Sequence, residues 1–266
     1  MGPQKRMTQK RPVSRYVEGQ FTDIDDEVAV EFPLTVRVNG EEFATLVCTP
    51  NDLEDLTLGF LASEGVIRTA REVSRLAVNA DSGFAYVELD GLSVPGREFY
   101  AKRMIGSCCG KSRQFYFVND ARTARTVPVR HRATPEQIFA WMAELERMSG
   151  PFHLTGGLHN AALFGSDGCL AARTDIGRHN ALDKLFGYTL KQQIPTADKT
   201  IAFSGRLSSE VVLKAAKIGV GLLLSKSAPS DLALSLADDL GITAVGFIRG
   251  GRMNIYTHPE RICEIQ

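Results

Sequence analysis

Residues 28–38 alternate apolar and polar side chains and stop at Asn39-Gly40, a pair favoured in two-residue hairpin turns. Residues 42–48 return as a second strand, and Pro33, which has no N–H for a ladder, places the first strand at a sheet edge. The period then changes. After Thr49-Pro50, Asn51 or Asp52 can cap a helix whose apolar face is Leu53, Leu56, Phe60 and Leu61. Two more short strands, 75–79 and 84–89, are joined through Asp81-Ser82-Gly83. Hairpin, helix and further strands describe a small α+β roll of the β-grasp kind.

Thr134-Pro135-Glu136-Gln137 is a helix start with Thr134 as N-cap, Pro135 at the first helical position and Gln137 closing a capping box. That helix is expected to run to 148 and stop at Ser149-Gly150-Pro151. Beyond it, strands and helices alternate. A hairpin is expected over 161–164 and 169–173, helices over 180–192, 208–218 and 230–240, and strands over 200–203, 221–224, 243–247 and 252–256. This is the pattern of a layered α/β unit with a mixed sheet. The first 20 residues are polar, with little to bury, and are expected as a flexible arm. The organisation is therefore an arm over 1–20, an α+β domain over 21–125 and an α/β domain over 126–266.

Composition narrows the function. The 266 residues carry 31 basic and 31 acidic side chains, so no global field draws the chain to nucleic acid or an anionic membrane. The basic, polar start has no secretory core, and no apolar run approaches the ~20 residues of a membrane span. The expectation is a cytoplasmic protein. Five cysteines without framework spacing do not describe a disulfide scaffold, and Cys48, Cys169 and Cys263, with apolar neighbours, read as small core residues.

The other two are adjacent, Cys108 and Cys109, in Gly106-Ser107-Cys108-Cys109-Gly110-Lys111-Ser112-Arg113. Their Cα atoms stand ~3.8 Å apart across a trans peptide, whereas a disulfide wants about 4.4–6.8 Å. Adjacent cysteines are also a poor zinc chelate. Lys102, Arg103, Lys111 and Arg113 lie nearby, with no acidic residue between Glu98 and Asp120, and positive charge favours the nucleophilic thiolate. The pair reads as reactive sulfur on a loop, against the alternative of two buried structural cysteines.

Polar and glycine-rich segments recur in the second half where strands end and helices begin. They are 155–160, 175–180, 204–210, 225–227 and 249–252, and they contain Arg178, Arg206, Arg249 and Arg252. Ligands of α/β sheets bind beyond the carboxyl ends of strands, where glycine admits a close approach and arginine grips phosphate in two bonds. The set suggests a pocket for a phosphorylated or nucleotide-like molecule, although no P-loop or dinucleotide fingerprint is present. His159 and His179 are open to acid–base, ligand-binding or purely structural roles.

Taken together, Asp175-Ile176-Gly177-Arg178-His179-Asn180-Ala181-Leu182-Asp183-Lys184, Ser204-Gly205-Arg206, Ser225-Lys226-Ser227-Ala228-Pro229 and Gly246-Phe247-Ile248-Arg249-Gly250-Gly251-Arg252-Met253-Asn254-Ile255-Tyr256-Thr257 resemble the formate dehydrogenase accessory sulfurtransferase family (FdhD/NarQ). The resemblance covers about 31–256. It implies a sulfurtransferase that takes sulfur from a cysteine desulfurase as a cysteine persulfide and passes it to the molybdenum bis-guanylyl cofactor (Mo-bis-MGD) used by formate dehydrogenase. It implies a core similar to the cytidine deaminase fold beside the smaller N-terminal domain. Phe247, Ile248, Arg249, Gly250, Gly251 and Arg252 would contact the cofactor, with Arg178, His179, Arg206 and His159 in the same site. Some members separate their two cysteines by two residues, so the carrier here is either Cys108 or Cys109. Deaminase chemistry is not implied, since Ala161 follows His159-Asn160 where the catalytic Glu would stand. The competing reading is a nucleotide-binding chaperone that delivers the cofactor without handling sulfur. Homodimerisation is among the expectations, and a resident metal is not.

Overall fold

The computed structural model describes residues 6–90, 103–105, 126 and 131–263, which contain three sheets. Thr8–Val17 (β1) and Gln20–Ala29 (β2) pair antiparallel from Thr8 opposite Ala29 to Val17 opposite Gln20. The flexible arm expected over 1–20 is thus half of a hairpin. Its turn, Glu18-Gly19, has φ of 48° and 87°, the left-handed pair that a two-residue hairpin turn requires. Apolar patterning could not show it, because the ladder joins a basic strand to an acidic one. Arg15 reaches Asp26 at 3.4 Å, the Ser14 hydroxyl donates to Asp23, and the Tyr16 and Phe21 rings lie 4.9 Å apart.

The second sheet has the order β5-β6-β3-β4-β7, from Phe32–Val38 (β3), Glu41–Cys48 (β4), Val73–Asn79 (β5), Phe84–Leu89 (β6) and Arg103–Ile105 (β7). Pro33 therefore lies in the central strand and not at an edge. It is tolerated because the parallel pairing of β3 with β6 begins only at Thr35 opposite Phe84. Leu53–Ser63 (α1) follows β4; Asp52, at its N-cap, is left-handed and its side chain makes no cap bond.

The third sheet has the order β13-β12-β11-β10-β8-β9. Its strands are His159–Gly165 (β8), Gly168–Asp175 (β9), Thr200–Phe203 (β10), Leu222–Ser225 (β11), Thr243–Arg249 (β12) and Arg252–Ile255 (β13). β10, β11 and β12 run parallel, while β8, β9 and β13 pair antiparallel with their neighbours. The protein is a mixed α/β fold. Pro135–Met148 (α2) starts with the expected capping box and buries Ile138, Trp141, Met142 and Leu145, one stripe at helical spacing, against Phe164, Leu222, Leu224 and Val245. Helix continues past the expected stop as Gly150–Thr155 (α3).

The opposite face carries Arg178–Lys191 (α4), Ser209–Ile218 (α5) and Asp231–Asp239 (α6). α1 packs on α4 backbone to backbone. A Cβ added at Gly59 would stand 1.7 Å from the Asp183 carbonyl oxygen, and one at Gly187 would stand 1.8 Å from that of Asp55. That contact merges the apolar faces of the second and third sheets into one cluster, from Leu34 to Ala244. Among the described residues no helix is long and apolar enough to cross a membrane.

Candidate functional site

Four strands of the third sheet deliver their polar ends to one edge. β9, β10, β11 and β12 end there, and β8, antiparallel to β9 and β10, begins there, with His159 opposite Asp175. All five polar segments singled out in the sequence therefore meet along this edge. They are joined by short bonds. Asn160 and Ser204 exchange two, at 2.9 and 3.0 Å; the Ser225 hydroxyl donates to the Gly205 carbonyl at 2.7 Å; and the N–H of Phe247 donates to the Ser227 carbonyl at 3.3 Å. The helices α4, α5 and α6 all point their N-termini this way, and none carries a side-chain cap bond.

Arg178 opens α4 beside Gly205, where an added Cβ would lie 3.5 Å from the Cβ of Arg178 and 2.8 Å from the Phe203 ring. His179 Nε2 stands 2.9 Å from Glu210 Oε2 on α5. Burial first, and then neighbouring positive charge, lowers the pKa of His159, with Asp175 opposing. Burial also lowers that of His179, against the pull of Glu210. Arg206 is exposed in the turn before α5.

At the far end, Gly250 and Gly251, both left-handed at φ of 56° and 73°, turn β12 into β13 and set Arg249 directly opposite Arg252, both exposed. Like charges placed so are mutually unfavourable unless an anion bridges them. Phe247 is also left-handed, at φ 53°, and its ring lies under the Arg249 guanidinium at 5.9 Å. Ile248 differs from its neighbours. Its side chain is 2 % exposed and packs in the α2 core, which leaves only its backbone for a ligand.

A model described as the FdhD/NarQ family matches residues 29–263. The chain belongs to that family. Among FdhD/NarQ relatives, a protein named sulfur carrier protein FdhD from Geobacillus kaustophilus is 57 % identical, over 95 % of this chain and 96 % of its own. One of the same name from Bacillus subtilis is 52 % identical, over 97 % and 99 %. The crystal structure of a provisionally assigned formate dehydrogenase accessory protein from Desulfotalea psychrophila superposes with a TM-score of 0.80. It is 26 % identical, covering 97 % of this chain and 100 % of that one.

In this FdhD/NarQ chain Cys108 and Cys109 lie outside the described residues. The chain leads towards them along β7, which runs parallel to β4 with Ile105 opposite Leu46. The next residue of β4, Val47, accepts from Asn180 Nδ2 at 2.9 Å, in the first turn of α4. Thr49 donates from its N–H and its hydroxyl to Asp175 Oδ2, each at 3.0 Å. Lys184 completes this joint. Its ammonium lies 2.7 Å from Asp175 and donates to Thr49 Oγ1 at 2.8 Å, Asn51 Oδ1 at 3.0 Å and the Thr174 carbonyl at 3.0 Å.

Thr49 and Asn51 were legible in the sequence only as the start of a helix. No local signal shows that their partners are 126 and 133 residues away. The spacing of Asn180 and Lys184, four apart and so on one helix face, was the available hint. Of the three cysteines read as core, Cys48 is fully buried, with its thiol pKa pushed up by burial and its Sγ donating to the Phe32 carbonyl. Cys169 and Cys263 are half-buried.

Proposed function

We propose that this chain is a sulfurtransferase of formate dehydrogenase maturation, which carries sulfur as a persulfide on Cys108 or Cys109. A thiolate of the pair attacks the outer sulfur of a persulfide on a cysteine desulfurase. A new S–S bond forms as the old one breaks, and the desulfurase cysteine leaves as a thiolate. The outer sulfur would then pass to a molybdenum bis-guanylyl cofactor in its reduced state, here the substrate, at the polar edge of the six-stranded sheet. The S–S bond breaks, the carrier cysteine leaves as a thiolate, and the reduced metal supplies the two electrons that bring the sulfur to sulfide. Arg178, Arg206, Arg249 and Arg252 would grip the cofactor's phosphates in the bidentate manner of guanidinium. Free thiols suit a cytoplasmic site of action. The six-stranded sheet between α2 and the α4–α6 layer supports the deaminase-like reading of the core, and the β3–β4, α1, β5–β6 order supports the β-grasp-like one.

One observation carries this reading. β7 takes the chain to the end of β4 that is bonded to Asp175 and Asn180, next to Arg178 at the edge. Cys108 follows Ile105 by three residues, which span at most about 11 Å. The names of the relatives agree with it.

The experiment loads the protein from a desulfurase with labelled cysteine and follows the label to protein and then to the cofactor. Replacing the carrier cysteine by Ala abolishes labelling, and replacing the other leaves at least a residual level. Undiminished transfer by Cys108→Ala/Cys109→Ala overturns sulfur carriage. If that variant still binds the cofactor, the chaperone reading takes its place.

A further inference from the structure

We infer that a cavity at the C-terminal end of α4 binds a small organic anion, an apolar chain or ring that bears a carboxylate or a phosphate. The cavity has a volume of about 390 Å³, within the range of small-molecule sites. It is remote from the polar strand ends. α4 leaves that edge at Arg178 and reaches the cavity with Phe186, Thr189 and Leu190, the last about 18 Å farther along the helix axis. The inference is therefore independent of the sulfur chemistry. The floor is apolar, built from Phe186, Leu190 and Ile194 and, at the end of α5, Ile218.

The charges choose the ligand. Arg68, Arg71 and Lys217 line the cavity, and among the described residues that line it there is no carboxylate. Glu72, the nearest acid in sequence to Arg71, is turned to the backbone, where it accepts from the N–H of Arg68 at 3.2 Å and of Thr69 at 3.0 Å. Both arginines are exposed, and among the described residues neither guanidinium has an ion-pair partner. Helix C-termini oppose an anion through their unpaired carbonyls, and α4 and α5 both end here. Those acceptors are already engaged. The Thr189 hydroxyl donates to the Phe186 carbonyl at 2.7 Å, and the Thr196 hydroxyl to the Ile218 carbonyl at 2.6 Å. The Lys217 ammonium donates to the carbonyl of Ser63, at the end of α1, at 2.6 Å. The guanidinium groups then meet an anionic head in paired N–H···O bonds, while the apolar floor takes its hydrocarbon body.

Equilibrium dialysis of labelled octanoate against the full chain tests this. Saturable binding is expected, with a Kd of about 1 mM or tighter. Octyl phosphate competes with it, and the tighter of the two identifies the head group. Octanol and inorganic phosphate, each with half of the required chemistry, compete at least tenfold less well. Hexanoate, two methylenes shorter, binds about tenfold more weakly. Arg68→Glu/Arg71→Glu weakens octanoate at least tenfold, and an unchanged urea midpoint shows that this surface variant is folded. Absence of saturable binding overturns the inference. So does binding indifferent to the two arginines or to chain length, or inorganic phosphate that competes as well as octanoate.

Discussion

At Lys184 a charge is held with no exposed surface, matched by Asp175, which has none either. Burial of two ions is costly, and here Thr49, Asn51, Gly177 and Asn180 saturate the remaining donors and acceptors. Lys184→Met strands the Asp175 carboxylate and should cost about 3–5 kcal/mol in urea unfolding. Lys184→Met/Asp175→Leu should recover much of that loss, which distinguishes an orphaned charge from a cavity. The histidines give a pH dependence of definite sign. Burial holds His131, His159 and His179 below the ordinary value of 6.5, so the unfolded chain takes up protons first as the pH falls. Stability is therefore level above that value and declines below it. The groups facing His179 are Glu210, Lys214 and Arg178. The urea midpoint should fall between about pH 7 and 5, with a shallower slope in His159→Gln/His179→Gln.

Among the elements, those set by local chemistry were legible. Thr134 and Gln137 close their capping box, with the Thr134 N–H donating to Gln137 Oε1 at 2.9 Å, and strands 84–89 and 200–203 keep their expected bounds. Where a neighbour decides, local reading failed. Pro33 argues for an edge only if both sides of its strand need donors, and β6 begins too late to need one there. β1 has no apolar face to read because its pairing is carried by backbone bonds and opposite charges. The α1–α4 crossing depends on Gly59 and Gly187, which in sequence are merely poor helix formers. Gly59→Ala would remove that propensity penalty in an isolated helix. Here its Cβ meets the Asp183 carbonyl, a backbone atom that cannot rotate away, so the helices must part. The expected cost is about 3 kcal/mol, read as a lowered urea midpoint.

For the whole molecule, the alternation of strand and helix after 150 was enough to expect a layered α/β unit. The rule that ligands gather beyond strand ends was enough to choose the five polar segments. The described contacts also joined what the sequence separated into two domains, since the cluster from Leu34 to Ala244 runs through α1 and α4. By itself the sequence determined local matters, such as which stretches are strand or helix, where turns fall, and which residue types stand at strand ends. Those follow from dihedral preferences, periodicity and side-chain pKa, which depend on neighbours along the chain. Only the tertiary structure decided that β7 runs beside β4, that Thr49 and Asn51 bind Asp175 and Lys184, and that α1 meets α4 at two glycines. Those contacts join residues more than a hundred positions apart or depend on strand order. They are selected by the saturation of buried polar groups and by close packing, which exist only once the chain is folded.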